Sequence, residues 1–253
     1  MLTFTEAQFS AWMGPLLWPF VRVLALFSTL PLFSQRVVPM RLRVAFAGLI
    51  VVCAQGSLPP MPALALDHPG VLVVLLQQVL VGMTLGFAVR LVFTAVELAG
   101  ELIGLQMGLN YATFFDPSSG AQATTTSRFL GATVAAMFIS IDGHLATVAA
   151  LVRSFETFPV GPEPLAFLRA MRPERWGGEI FMLGLWVALP VVAMLLFANL
   201  VLGVISRVAQ QMNIFAIGFP VTLATGLLGL LVTLPLLQAP FTMALERMFS
   251  NWR

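Results

Sequence analysis

An all-α fold held in or against a membrane is what this sequence predicts, and three observations predict it. The hydrophobic set makes up 59% of the 253 residues and charged residues only 9%, with a mean hydropathy of +0.95. A water-soluble chain of this size could not hide that much apolar side chain. No charge falls between Ile180 and Ser206, nor from Val208 to Leu245, and a bilayer-spanning helix needs about 20 apolar residues. The other apolar runs are interrupted by isolated polar groups, which in a membrane face protein or a water-filled cavity because lipid offers them no partner. Kinked or broken helices that need neighbours are therefore expected.

Six apolar runs can be drawn, at about 11 to 33, 44 to 58, 71 to 95, 129 to 152, 180 to 206 and 214 to 237. The first carries Arg22 at its middle, and the second has barely a dozen apolar residues before Pro59, Pro60 and Pro62. Gln77 and Gln78 sit in the third. In the fourth, about ten Leu, Ile, Val or Phe at about −0.5 kcal/mol each are largely offset by about +3 kcal/mol for Asp142, so insertion as an isolated helix is marginal. Pro190 and Asn199 interrupt the fifth and Pro220 and Pro235 the sixth, positions where a helix kinks and frees backbone carbonyls. Such breaks serve either a transporter or curvature around an assembly. Arg36, Arg41 and Arg43 place the first loop in the cytoplasm and the N-terminus outside by the positive-inside rule. With no basic residue before Arg22, the start lacks the charged region of a cleavable signal and is expected to be retained.

The net charge of +2, carried on arginine alone, is too small an excess for a nucleic-acid surface. Cys53, the single cysteine, reads as a small buried hydrophobe. Between 153 and 179, Leu165, Leu168 and Met171 recur at helical spacing opposite Arg169 and Arg172, which predicts a short amphipathic helix at an interface. From Asp116 to Ser127 an Asp-Pro turn leads into small polar residues and ends the apolar pattern. Just before it, Gly100, Gly104 and Gly108 form a small-residue stripe where another backbone approaches closely. Glu97 and Glu101 stand on adjoining turns beside that stripe. They make either an ion or proton site or a structural pair satisfied by neighbouring subunits.

Asp142-Gly143-His144 invites a catalytic or metal reading, yet residues two apart on a helix point about 200° away from each other. Neither His-Glu-x-x-His nor Gly-x-Ser-x-Gly occurs. A helix break with Asp142 and His144 satisfied locally is expected, and no catalytic residue, metal or cofactor. Residues 106 to 116 pair the flexible Met107 and bulky Phe114 and Phe115 with Gly104, Gly108 and the Asp116-Pro117 turn. That is either a deformable apolar seal or a loop whose two Phe anchor it to neighbouring helices.

The stretch Gly100-Glu101-Leu102-Ile103-Gly104-Leu105-Gln106-Met107-Gly108, followed by Ala112-Thr113-Phe114-Phe115-Asp116-Pro117-Ser118-Ser119-Gly120, resembles the signature region of the FliR family. Ser127-Arg128-Phe129, Asp142-Gly143-His144 and Ser154-Phe155 with Pro159 and Gly161 follow in that family's order, so the likeness covers essentially the whole chain. Residues 182 to 249 also resemble the FliQ-type hairpin subunit, around Leu189-Pro190, Ser206-Arg207, Gln210, Asn213 and Phe219-Pro220. The resemblance implies an all-α gate subunit whose residues 1–178 are FliP-like and whose residues 179–253 form a FliQ-like hairpin. It implies one copy per gate, in the bacterial inner membrane at the flagellar basal body, assembled with FliP-type and FliQ-type subunits and touching the FlhB-type switch protein. Unfolded flagellar proteins would be the cargo, with no nucleic acid involved, and membrane lipid would line the outside.

On that pattern Gln106, Met107, Phe114, Phe115 and Asp116 belong to a plug loop. Gly100, Gly104 and Gly108 pack helices, and Glu97, Glu101, Arg128, Asp142 and His144 are buried polar or inter-subunit groups. Arg22, Gln77, Gln78 and Asn199 likewise suit subunit contacts better than lipid. The competing functions are an autonomous small-molecule or ion transporter, for which paired repeats are absent, and an intramembrane hydrolase, which has only Asp142 and His144.

Overall fold

The computed structural model describes residues 6–35, 37–62, 69–109, 124–161, 163–173, 176–209, 214–250 and 252, and every regular element among them is helical. The fold is all-α. In chain order the elements are α1 Glu6–Thr29, α2 Pro31–Ser34, α3 Met40–Ala54, α4 Val71–Gln106, α5 Thr125–Ser140 and α6 Gly143–Thr157. After them come α7 Pro164–Met171, α8 Trp176–Val208, α9 Ile214–Thr233 and α10 Gln238–Ser250. Short 3-10 turns at Gln55–Ser57 and Leu234–Leu237 follow α3 and α9.

Local chemistry sets most of the boundaries. Leu30 is extended because it precedes Pro31, which separates α1 from the single turn of α2. Pro164 opens α7 at a position where its missing N–H costs nothing, and Arg172 closes it at φ 44°. Pro235 enters at the start of the Leu234–Leu237 turn, where an uninterrupted α-helix would need its N–H. The fourth apolar run is two helices rather than one, because Asp142 takes the left-handed conformation (φ 56°) between α5 and α6. Asp is one of the few residues with L chirality that enters that region readily.

Four helical stretches are long and apolar enough to cross a membrane, or five if α5 and α6 count as one broken span. Their burial differs widely. Of the most apolar part of Val71–Gln106, 50% of the residues are buried, against 11% for Met40–Ser57. α4 is therefore a core helix, while α3 is covered on one face only, through Ala47 and Val51. Cys53, expected to be buried, is exposed, because that one face turns Ala47 and Val51 inward.

The chain divides into two compact units, and α4 runs through both. The first comprises Met1–Leu91, Asp142–Trp176 and Leu245–Arg253. In it α1 lies against α4 at Gly82 and Gly86. A Cβ at Gly82 would strike the Arg22 carbonyl and come within 2.9 Å of Ala25 Cβ, and one at Gly86 would come within 2.7 Å of the Leu26 carbonyl oxygen. Of the face expected over Leu165, Leu168 and Met171 of α7, Leu168 is half-buried and Met171 is buried. Phe167 and Met171 are buried, and Phe158, Phe167 and Trp252 form an aromatic cluster with ring centroids 4.9 to 6.0 Å apart.

The second unit comprises Val92–Ile141 and Gly177–Ala244. Phe93 of α4 meets Phe138 of α5 and Phe241 of α10 edge-on, at 5.4 and 5.6 Å. Such aromatic pairs add about 0.5–1.5 kcal/mol each beyond their burial. Gly184 of α8 lies on the backbone of α4, where a Cβ would meet the Ala95 carbonyl oxygen at 2.7 Å.

Candidate functional site

The residues that terminate α4 are built by three successive backbone choices. Met107 N–H donates to Ile103 O, Gly108 N–H to Leu105 O at 3.1 Å, and Leu109 N–H to Gly104 O at 3.1 Å, while Gly108 takes φ 78°. This is a Schellman stop, with its glycine in the left-handed position. Gly108 is therefore the end of the helix, and the stripe expected over Gly100, Gly104 and Gly108 has separate parts. Gly100 takes the close contact, since a Cβ there would lie 2.6 Å from Ser127 Cα and 2.9 Å from the Thr126 carbonyl oxygen. Gly104 is buried and supplies the carbonyl of the stop.

Across the central segment, α5 begins with Thr124, whose Oγ1 accepts from Ser127 N–H at 3.2 Å. Thr125 to Ser127, expected in the polar loop, are the first turn of this helix. The backbone of that turn is pressed onto Gly100. Phe114, Phe115 and Asp116, expected in a plug, lie outside the described residues. Of the same group, Gln106 is half-buried, while Met107 is fully buried. Its side chain fills the space over Gly226 of α9: a Cβ at Gly226 would lie 2.5 Å from Met107 Cγ and Sδ and 2.8 Å from Cε. Thr222 Oγ1 stands 3.5 Å from the Met107 carbonyl oxygen, a long contact, and is closer to Gly218 O and Phe219 O of its own helix, at 3.1 and 3.0 Å.

The group expected as buried polar residues is placed differently. Glu97, Arg128 and Asp142 are exposed on the chain, and Glu101 and His144 are half-buried. Glu97 extends along α5, where a Cβ at Gly131 would lie 3.1 Å from its Oε1. Asp142 makes no side-chain cap to α6, and among the described residues His144 Nδ1 is buried without a hydrogen-bond partner.

The buried polar centre is Arg22 instead. It donates from Nε to Gln78 Oε1 at 2.8 Å, from one terminal nitrogen to Ser154 O and Oγ, each at 2.9 Å, and from the other to Phe158 O at 3.0 Å. Its guanidinium lies 3.7 Å over the Phe155 ring. Gln78 donates on to Gln77, which accepts from Gly161 N–H and donates to Pro159 O. Arg22, Gln77 and Gln78, expected at subunit contacts, are thus satisfied inside the chain. They tie α1 and α4 to the end of α6 and the turn before α7. Sequence pointed to all three as misfits in lipid but gave no means of pairing residues 56 and 132 positions apart.

An apolar groove of about 320 Å³ is lined by Trp186, Val187, Leu189, Pro190, Thr233, Leu236, Leu237 and Pro240. Its one hydroxyl, on Thr233, is bonded to Gly229 O of its own helix at 2.7 Å. The groove offers no convergent polar groups to orient a small ligand. Among the described residues, no group of three or more His, Cys, Asp or Glu is placed to hold a metal ion.

Comparison with known proteins sets these features in context. Residues 13–248 match the family described as Bacterial export proteins, family 1. The flagellar biosynthetic protein FliR of Pectobacterium carotovorum subsp. carotovorum is 42% identical over 251 residues, covering 99% of this chain and 94% of that protein. FliR of Escherichia coli strain K12 is 40% identical over 255 residues with the same coverage, and that of Bacillus subtilis strain 168 is 29% identical over 240 residues, covering 90% and 91%.

Proposed function

Because the chain belongs to the FliR family of bacterial export proteins, we propose that it is a core subunit of the flagellar type III export gate, a non-enzymatic part of the conduit for unfolded flagellar proteins. The observation that carries this reading is the near full-length match to proteins named for flagellar biosynthesis. The exposed apolar faces of α3, α8 and α9 support it, since they leave large surfaces for partner helices and lipid. The partners are FliP-type and FliQ-type subunits and the FlhB-type switch protein, in the inner membrane at the basal body. In this assignment residues 1–178 are the FliP-like part and residues 179–253 the FliQ-like hairpin. Residues 106 to 116 serve as part of the plug, and Glu97, Glu101 and Arg128 face neighbouring subunits.

The test is to express the chain in a motile bacterium lacking its own FliR, and to extract it gently with a tag. Restored swimming, with FliP-type and FliQ-type chains recovered in one complex, is the expected result. A chain that restores no motility and emerges as a lone monodisperse monomer would overturn the assignment in favour of an autonomous transporter.

A further inference from the structure

The close approaches in the second unit fall into two kinds. α5 and α8 meet α4 through backbone, at Gly100 against Ser127 Cα and at Gly184 against the Ala95 carbonyl oxygen. Those contacts cannot open without moving whole helices. α9 is held otherwise: at Gly226 the neighbour is the Met107 side chain, at Gly229 it is Val191 Cγ1, and at Gly218 it is Leu202 Cδ1. Every one of these is a side-chain atom. Pro220 inside α9 also removes one hydrogen bond from its own ladder.

We propose that Met107 seated over Gly226 is a releasable latch, and that α9 is the element it lets go. Met107 N–H stays bonded to Ile103 O, so the residue rides on α4, and rotation about its side-chain bonds is enough to empty the notch. Methionine is suited to this, being unbranched with three rotatable bonds and a polarizable sulfur that packs against irregular surfaces. Among the described residues no ion pair or short hydrogen bond supplements the contact, since the Thr222 hydroxyl is spent within its own helix. Gly108, next in the chain, lets the backbone turn away from α4 without Cβ strain. Seated, the latch holds the end of α4 to α9; released, it frees α9 from the end of α4. The purpose of that release rests on the conduit assignment, whereas the seat itself does not.

The pair Met107→Cys and Gly226→Cys, in a Cys53→Ala background, tests both statements. A Cβ at Gly226 lies no more than about 4 Å from Met107 Cβ, one bond beyond the 2.5 Å to Cγ, a range that overlaps the span of about 3.5–4.5 Å that a disulfide bridges. Under oxidant, a crosslink should form in the membrane extract, and export should fall by about tenfold or more and return with reductant. A crosslink that forms while export stays at the parent level would make the contact a fixed anchor and overturn the latch. Failure to crosslink would remove the seat itself. Since the crosslink is scored in the extract, its failure counts against the seat alone, whereas an unsubstituted chain that cannot restore export counts against the conduit assignment. A size swap provides a second measurement in case the cysteine pair perturbs assembly. Gly226→Ala should expel Met107 and raise passive solute uptake through the assembled gate, and adding Met107→Ala should bring uptake back toward the parent. Uptake by Gly226→Ala equal to that of the parent would overturn the latch.

Discussion

At the residue scale, Arg22 shows how a charge survives in an apolar chain. Its bonds all go to uncharged oxygens, so it depends on geometry rather than on a counter-ion. A planar fork reaches Gln78, Ser154 and Phe158 together while stacking on Phe155, and an ammonium group cannot. Arg22→Lys should therefore cost about 2–3 kcal/mol, the worth of one or two charge-assisted bonds. The measurement is the urea concentration at which protease begins to cut the turn at 158–161, and no change would show that the network does not hold that turn. Gln78→Ala should be non-additive with it, since the two share a bond. Glu97 and Glu101 contrast with this, being exposed and half-buried on one helix. If they serve contacts rather than ion coupling, Glu97→Gln and Glu101→Gln should leave export partly active. Complete loss of export in a normally assembled complex would return them to the ion-site reading.

At the scale of the element, α4 organises both units because it alternates bulky apolar residues with glycines that admit other backbones. Gly100→Leu should drive α4 and α5 apart, at a cost of roughly 1–3 kcal/mol or more, and sharply lower the yield of assembled complex. Gly48→Ala, with nothing within 4 Å of its Cβ, is the control that should leave the yield unchanged. Normal yield from Gly100→Leu would mean that the contact is not tight. Much of this was legible beforehand: the all-α fold, the break at Asp142, the short helix after Pro164 and the close packing at Gly100 all follow from composition, turn chemistry and spacing. The equally close pair Gly82 and Gly86 went unread although it has the same four-residue spacing on the same helix. What spacing cannot give is the partner. Nothing in 153–179 announces that Trp252, some 80 residues on, packs against Phe167 of α7. The seat of Met107 was not legible, because Gly226 carries no side chain for a sequence pattern to detect.

At the scale of the whole molecule, the deciding quantity is the apolar surface left uncovered. Phe181, Met182, Leu185, Trp186, Phe197 and Leu200 are all more than half exposed along α8 alone, and α3 and α9 add further rows. A lone soluble domain does not carry such surface, and lipid covers only what lies at membrane depth. On α4 and α5, Glu97 and Arg128 are exposed on the chain, and charged side chains gain nothing from lipid tails. A chain with both kinds of surface is expected to need partner subunits as well as lipid. Produced without the proposed FliP-type and FliQ-type partners it should be degraded within minutes or aggregate, while co-expression should extend its lifetime several-fold, because partner binding stabilises only the folded form. Pulse-chase labelling in the two backgrounds measures this directly. Equal lifetimes, together with a monodisperse peak at the mass of one chain in detergent, would show that α3, α8 and α9 need nothing but lipid, and obligate assembly would have to be abandoned.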